Sequence, residues 1–166
     1  KEYTCYHVRL LDEHLDVAID VLADMLGSSL LRSSDIEAER GVVLEEIAMS
    51  EDDPIDLGRT ELERELFGTH PLAGPVAGTA HSVSTMRTSA LRGHYRRYYT
   101  PDNYVITVVG NASHRKVVSS VTRAFGLAES PVRAPKVSKP PQAPRTRNAR
   151  VGKAFEQVNL LRAHGG

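Results

Sequence analysis

"ERGVVLEEIAMSEDDP", Glu39–Pro54, sets apolar residues at helical spacing against a dense run of carboxylates. Asp35, Glu37, Glu39, Glu45, Glu46 and Glu51 all fall on or beside it. On a helical wheel at about 100° per residue, Val43 and Ile47 lie within about 20° of Ile36 and define one core-facing stripe. Glu39 and Glu46, seven apart, share an edge of that stripe, whereas Glu45 points away and Glu37 lies off the far side. Carboxylates beside an apolar stripe are costly unless they reach water, find a cation or bind a metal. Snorkelling to water, or pairing with Arg32 or Arg40, is one outcome; a metal or polar-network role for Glu39 and Glu46 is the other.

Outward from this helix the chain alternates strand-like and helical patterns. In "EYTCYHVRLL" (Glu2–Leu11), Tyr6, Val8 and Leu10 share one face, which predicts a strand with one buried side. "DEHLDVAIDVLADMLGSS" follows at helical spacing and stops at Gly27. Ser34 and Glu37 have the spacing of a capping box for the acidic helix, which is expected to end before Pro54. A further helix over 57–67 is closed by Gly68, and "GTHPLAGPVAGTAHSVSTM" reads as a loop. "TSALRGHYRRYY" predicts a helix with Leu91, Tyr95 and Tyr98 on one face. "NYVITVVG" predicts a buried strand, and Ser113 is expected to cap a helix running to Phe125. "KAFEQVNLL" predicts one more strand.

The expected organisation is a partial domain over 1–130, a proline-rich basic connector over 131–150, and the start of a following strand over 151–166. Strand-like segments alternating with helices, with more helix than strand, place the fold in the α+β or α/β range, one sheet with helices packed on it. Because the chain opens and closes inside strand-like segments, it is expected to be part of something longer.

Composition narrows the function. Twenty-one basic residues balance 21 acidic ones, and this zero net charge argues against a dedicated nucleic-acid or membrane-surface protein. The single cysteine, Cys5, forms no internal disulfide and no thiolate zinc cluster, which fits a cytoplasmic setting. No apolar run reaches the length of a membrane span. Neither a phosphate loop nor a Ser–His–Asp order stands out. His70 and His81 flank the Gly/Pro-rich loop, but no carboxylate pattern supports them as metal ligands.

"EYTCYHVRLLDEHLDVAIDVLADML", "IEAERGVVLEEIAMSEDDP", "HPLAGPVAGT" and "HYRRYYTPDNYVITVVGN" follow one another in an order that resembles the pitrilysin/insulinase family of zinc metallopeptidases, in particular its short, bacterial, processing-peptidase-like members. The resemblance runs from Lys1 to about Phe125 and resumes weakly at "FEQVNLL". It implies the α+β fold of a processing-peptidase-like α/β sandwich, an antiparallel or mixed sheet with helices mainly on one face, incomplete here. It also implies a Zn2+ cofactor held by a His-x-x-Glu-His motif and a later glutamate. Carried onto this sequence, that glutamate is Glu46, and Glu39 takes the place of the carboxylate that orients a histidine ligand.

None of the seven histidines (His7, His14, His70, His81, His94, His114, His164) opens a His-x-x-Glu-His. The histidine ligands and the catalytic base are therefore expected before Lys1, with no catalytic residue inside this chain. The activity implied is zinc-dependent hydrolysis of extended peptides or unfolded proteins, with the isolated fragment inactive. The partner implied is a second homologous domain, a homodimer or both. The family's silent structural or substrate-recognising subunits supply the alternative.

Overall fold

The computed structural model describes residues 2–126 and 148–163. Nearly all of the 131–150 connector, and the end of the last predicted strand segment beyond 163, lie outside them. The described chain divides into two units: residues 33–86 with 148–163, and residues 2–32 with 87–126.

In the first unit, α2 (Ser33–Asp52) packs on α3 (Pro54–Phe67) and α4 (Ala80–Thr85). The stripe read from the sequence faces inward, with Ile47 at its centre and only 5% exposed. The junction between α2 and α3 is set by Asp53, whose Oδ1 accepts the amides of Ile55 at 2.7 Å and Asp56 at 3.0 Å. Pro54 follows at the first helical position, where its missing N–H costs nothing. Gly68 ends α3 with φ 56°, the left-handed conformation that favours glycine. The returning chain is held at the end of α2 by Lys153, whose Nζ donates to Glu51 O at 2.8 Å and pairs with Asp52 Oδ1 at 2.6 Å. A cation at that carbonyl-rich end is favoured by the helix dipole.

Two local expectations change here. α2 starts at Ser33, and the Ser34 hydroxyl donates to Asp35 Oδ1 at 3.1 Å while Glu37 turns to Arg40, so the Ser34–Glu37 capping box is not formed. The supposed loop 68–86 contains a 3-10 turn, Pro71–Ala73, and α4 itself. Thr79 opens α4 with a capping box: its Oγ1 accepts from the Ser82 amide at 3.1 Å, and the Ser82 hydroxyl accepts the Thr79 amide at 2.9 Å.

In the second unit, α1 (Leu15–Gly27), preceded by the 3-10 turn Asp12–His14, packs on α6 (His114–Ala124). Ala18, Ile19, Ala23 and Val121 are its buried residues. The unit also contains α5 (Thr88–Tyr98), which grips the chain after α1. Tyr95 Oη donates to Leu26 O at 2.7 Å and accepts the Ser29 amide at 3.2 Å. Arg92 donates from Nε and Nη2 to Leu31 O, at 3.1 and 2.8 Å. Leu31 carries φ 43°, a conformation a branched residue rarely adopts, and its carbonyl is the one Arg92 holds. Leu91 and Tyr95 are half-buried, but Tyr98 is 47% exposed and lies against His94, so the packing face of α5 is narrower than expected.

The α+β expectation is overturned. Among the described residues there is no strand and no sheet; every regular element is helical. "EYTCYHVRLL", "NYVITVVG" and "KAFEQVNLL" carry no backbone ladder. The reason is that a strand is a state of pairing, and period-two alternation specifies a face without supplying the neighbour that completes its hydrogen bonds. Several apolar residues of these segments stay in solvent as a result, with Val105 and Val109 each 93% and Leu160 95% exposed.

Candidate metal-ligand helix

α2 brings the two predicted carboxylates to one side of a single rigid element. Glu39 and Glu46 are two turns apart, roughly 10 Å along the axis at 1.5 Å per residue. Both are exposed, at the border of the half-buried and buried positions Ile36, Arg40, Val43, Leu44 and Ile47. Among the described residues neither carboxylate has a hydrogen bond or an ion pair, so neither is neutralised by Arg32 or Arg40. Unpartnered ionised carboxylates are oxygen donors that zinc accepts, so Glu46 fits the chemistry of a zinc ligand. A protein site needs three such ligands, and among the described residues no group of three His, Cys, Asp or Glu side chains converges on one point.

The sequence offers Arg40 as a partner for Glu39 or Glu46, but the structure gives it to Glu37 and to the main chain at the end of α4. The Arg40 side chain is 16% exposed, between Ile36 and Val43 on the inward side of α2. It forks onto Glu37, Nε to Oε2 at 3.0 Å and Nη2 to Oε1 at 2.9 Å. It also donates to two main-chain carbonyls: Val83 O through Nη1, and Met86 O through Nη2 at 2.8 Å. The hydrogen bond from Arg40 holds the Glu37 carboxyl below its ordinary value, and Glu37 in turn raises the guanidinium. The available signal was a cation about 40° from Ile36 on the wheel, flanking the apolar stripe on the side opposite Glu39 and Glu46.

The other histidine candidates resolve separately. His70 is half-buried, and its Nδ1 accepts the Leu72 amide at 3.2 Å, which caps the short turn that follows. His81 is exposed within α4. In the second unit, Tyr6, Val8 and Leu10 face Val17, Val21 and Met25 of α1 across an open apolar groove of about 390 Å³.

Residues 1–80 match the family described as insulinase (peptidase family M16), and residues 86–159 match the family described as the M16 inactive domain. An "uncharacterized zinc protease" of Streptomyces coelicolor is 39% identical over 167 residues, covering 97% of this chain and 36% of the relative. Another from Bacillus subtilis is 40% identical over 140 residues, covering 84% of this chain and 34% of the relative. A crystal structure of an M16-like peptidase from Alicyclobacillus acidocaldarius superposes with a TM-score of 0.63 at 25% identity, over 73% of this chain and 28% of that one. The chain thus spans about a third of the length of the curated relatives it matches.

Proposed function

The chain belongs to the insulinase family of peptidases, and on that premise we propose that it is a portion of a zinc metalloendopeptidase that cuts peptides in extended conformation. Glu46 supplies one zinc ligand, and Glu39 supports the site by orienting a histidine ligand. The observation that carries this reading is the pair of exposed, unpartnered carboxylates on one edge of α2, inside the span that matches the insulinase model. The names of the relatives, zinc proteases, support the same metal.

The remaining ligands and the general base come from chain outside these 166 residues, so the stretch alone hydrolyses nothing. When bound, zinc lowers the pKa of a water molecule so that hydroxide forms near neutral pH. The contribution of this chain is to present the Glu46 carboxylate from a helix rather than from a loop, which limits its wander. A homologous domain or a second copy encloses the substrate in this reading. The alternative is a silent structural or substrate-recognising subunit.

The test uses the protein that carries this chain together with a His-x-x-Glu-His segment. Glu46→Gln is expected to abolish both stoichiometric zinc and cleavage of an unstructured peptide. Zinc content and turnover at the level of the unsubstituted protein would exclude Glu46 as a ligand, and an unsubstituted protein without zinc or turnover would select the silent subunit.

A further inference from the structure

We propose that Arg40 is a positioning residue for the α2 carboxylates, fixing the rotation of the helix by clamping it to the main chain at the end of α4; this rests on the reading of Glu46 as a zinc ligand. The apolar stripe of α2 cannot do this alone. Burial of Ile36, Val43 and Ile47 is non-directional and tolerates small rotations with little change in buried area. The hydrogen bonds of Arg40 are directional and weaken steeply with misalignment.

The guanidinium is planar and its donors are fixed relative to one another. On one side Nε and Nη2 hold Glu37 of the same helix at 3.0 and 2.9 Å, which locks the side chain against its own backbone. On the other side Nη1 and Nη2 hold the carbonyls of Val83 and Met86, the latter at 2.8 Å. Those carbonyls belong to the last turn of α4 and the residue just beyond it, where helix carbonyls lack a full set of intrahelical partners and carry partial negative charge. One rigid fork therefore joins α2 to α4 at a point six residues before Glu46 and one residue after Glu39.

The geometric demand explains why this matters. A glutamate carboxyl lies about 6 Å from its helix axis, so a rotation of about 10° carries it roughly 1 Å sideways. Metal constellations need their groups held to within about 0.5 Å. Lys153 fastens the far end of α2 through Glu51 and Asp52, so a clamp at Arg40 leaves Glu46 between two fixed points.

The acceptors from α4 are main-chain carbonyls, so the arginine is the partner that substitution can alter. In the protein that carries the whole zinc site, Arg40→Met, Arg40→Lys, Glu37→Gln and Glu46→Gln are compared. Zinc affinity is read by competition with a chromophoric chelator, well below the melting temperature of each zinc-free variant, and that melting temperature is recorded separately. Arg40→Met is expected to weaken zinc by about 10- to 100-fold, the range found for groups that orient metal ligands, with Arg40→Lys recovering part of the loss. Glu37→Gln, which keeps the α4 clamp but loosens the fork, is expected to fall between Arg40→Lys and the unsubstituted protein, and it carries the test with Arg40→Lys if Arg40→Met does not fold. Unchanged zinc affinity in the folded variants, with only the melting temperature lowered, would overturn the proposal and leave Arg40 purely structural. Loss of zinc in Glu46→Gln alongside that result sinks the positioning role only. Full zinc affinity in Glu46→Gln sinks the ligand reading, and the positioning role with it.

Discussion

The hydroxyls of Tyr6 and Tyr99 stand 3.1 Å apart, joining the segment before α1 to the residue that ends α5. The hydrogen bond to Tyr99, followed by burial, pushes the Tyr6 phenol up from 10.0 to about 12. Tyr104 is also raised, chiefly by burial. A phenol whose folded value is raised holds its proton more tightly in the folded state. Its contribution to stability is complete below pH 10 and drains as the pH climbs from 10 towards 12. A titration followed by phenolate absorbance should show late-ionising tyrosines in the folded protein, and Tyr6→Phe should remove one of them. A Tyr6→Phe titration that loses its amplitude near pH 10 and keeps the whole of the late step would mean that the Tyr6–Tyr99 bond does not persist in solution.

The acid side belongs to Glu37. Its carboxyl is lowered from 4.5, first by the hydrogen bond from Arg40. A depressed carboxyl contributes stability that is present above its unfolded value and is lost as the pH falls below 4.5 through the folded value. Melting temperatures between pH 6 and 3 should therefore fall more steeply for the unsubstituted protein than for Glu37→Gln. Because the pair is partly solvated, added salt should flatten the difference. Parallel curves at low salt would remove Glu37 from the acid response.

Gly58 and Leu161 set a smaller test of how the returning chain lies on α3. A Cβ built on Gly58 would meet Leu161 Cδ1 at 2.8 Å, too close unless the leucine tip turns away. Replacing glycine by alanine inside a helix is worth about 0.8–1 kcal/mol when nothing interferes. Gly58→Ala alone is expected to show little of that gain, because Leu161 must shift. In a Leu161→Ala background the gain should appear almost in full. The cycle needs only denaturant midpoints of four proteins, and a gain that is equal in both backgrounds would show that Leu161 does not pack on Gly58.

These contacts mark where sequence reasoning succeeds and where it stops. The long helices were legible because Leu15–Gly27 repeats its apolar positions near 3.6 and ends at Gly27, and because Ser33–Asp52 sets Ile36, Val43 and Ile47 on one narrow stripe and ends before Pro54. α4 was hidden because glycine, proline and serine around it read as loop, and its cap uses Ser82 where the usual box has glutamate or glutamine. The three strand-like segments misled for a different reason. Alternation at Tyr6, Val8 and Leu10 describes a face, but pairing depends on a second segment that no local pattern reveals. In α2 the wheel put Glu39 and Glu46 at the edge of the stripe and the structure leaves them there, exposed. What the wheel could not give was the partner of Arg40, because its acceptors are the carbonyls of residues 83 and 86, more than forty positions away.

Glu39 and Glu46 carry the same charge on the same edge, yet the proposed roles predict unequal consequences. A ligand supplies one of the three protein contacts to the metal, so Glu46→Gln should leave zinc readily stripped by chelator and turnover at background. A residue that orients a ligand leaves the ligand count intact, so Glu39→Gln should retain zinc but bind it about 10- to 100-fold more weakly. Excess zinc should then restore most of the activity to Glu39→Gln and none to Glu46→Gln. Both carboxylates are solvent-exposed and without partners among the described residues, so neither substitution should change the melting temperature of the zinc-free protein appreciably. That separation matters, because a loss of zinc accompanied by a large fall in stability would point to damage to α2 rather than to the metal site. Equal losses in the two variants, both rescued by excess zinc, would assign Glu46 the supporting role and send the search for the ligand to another carboxylate.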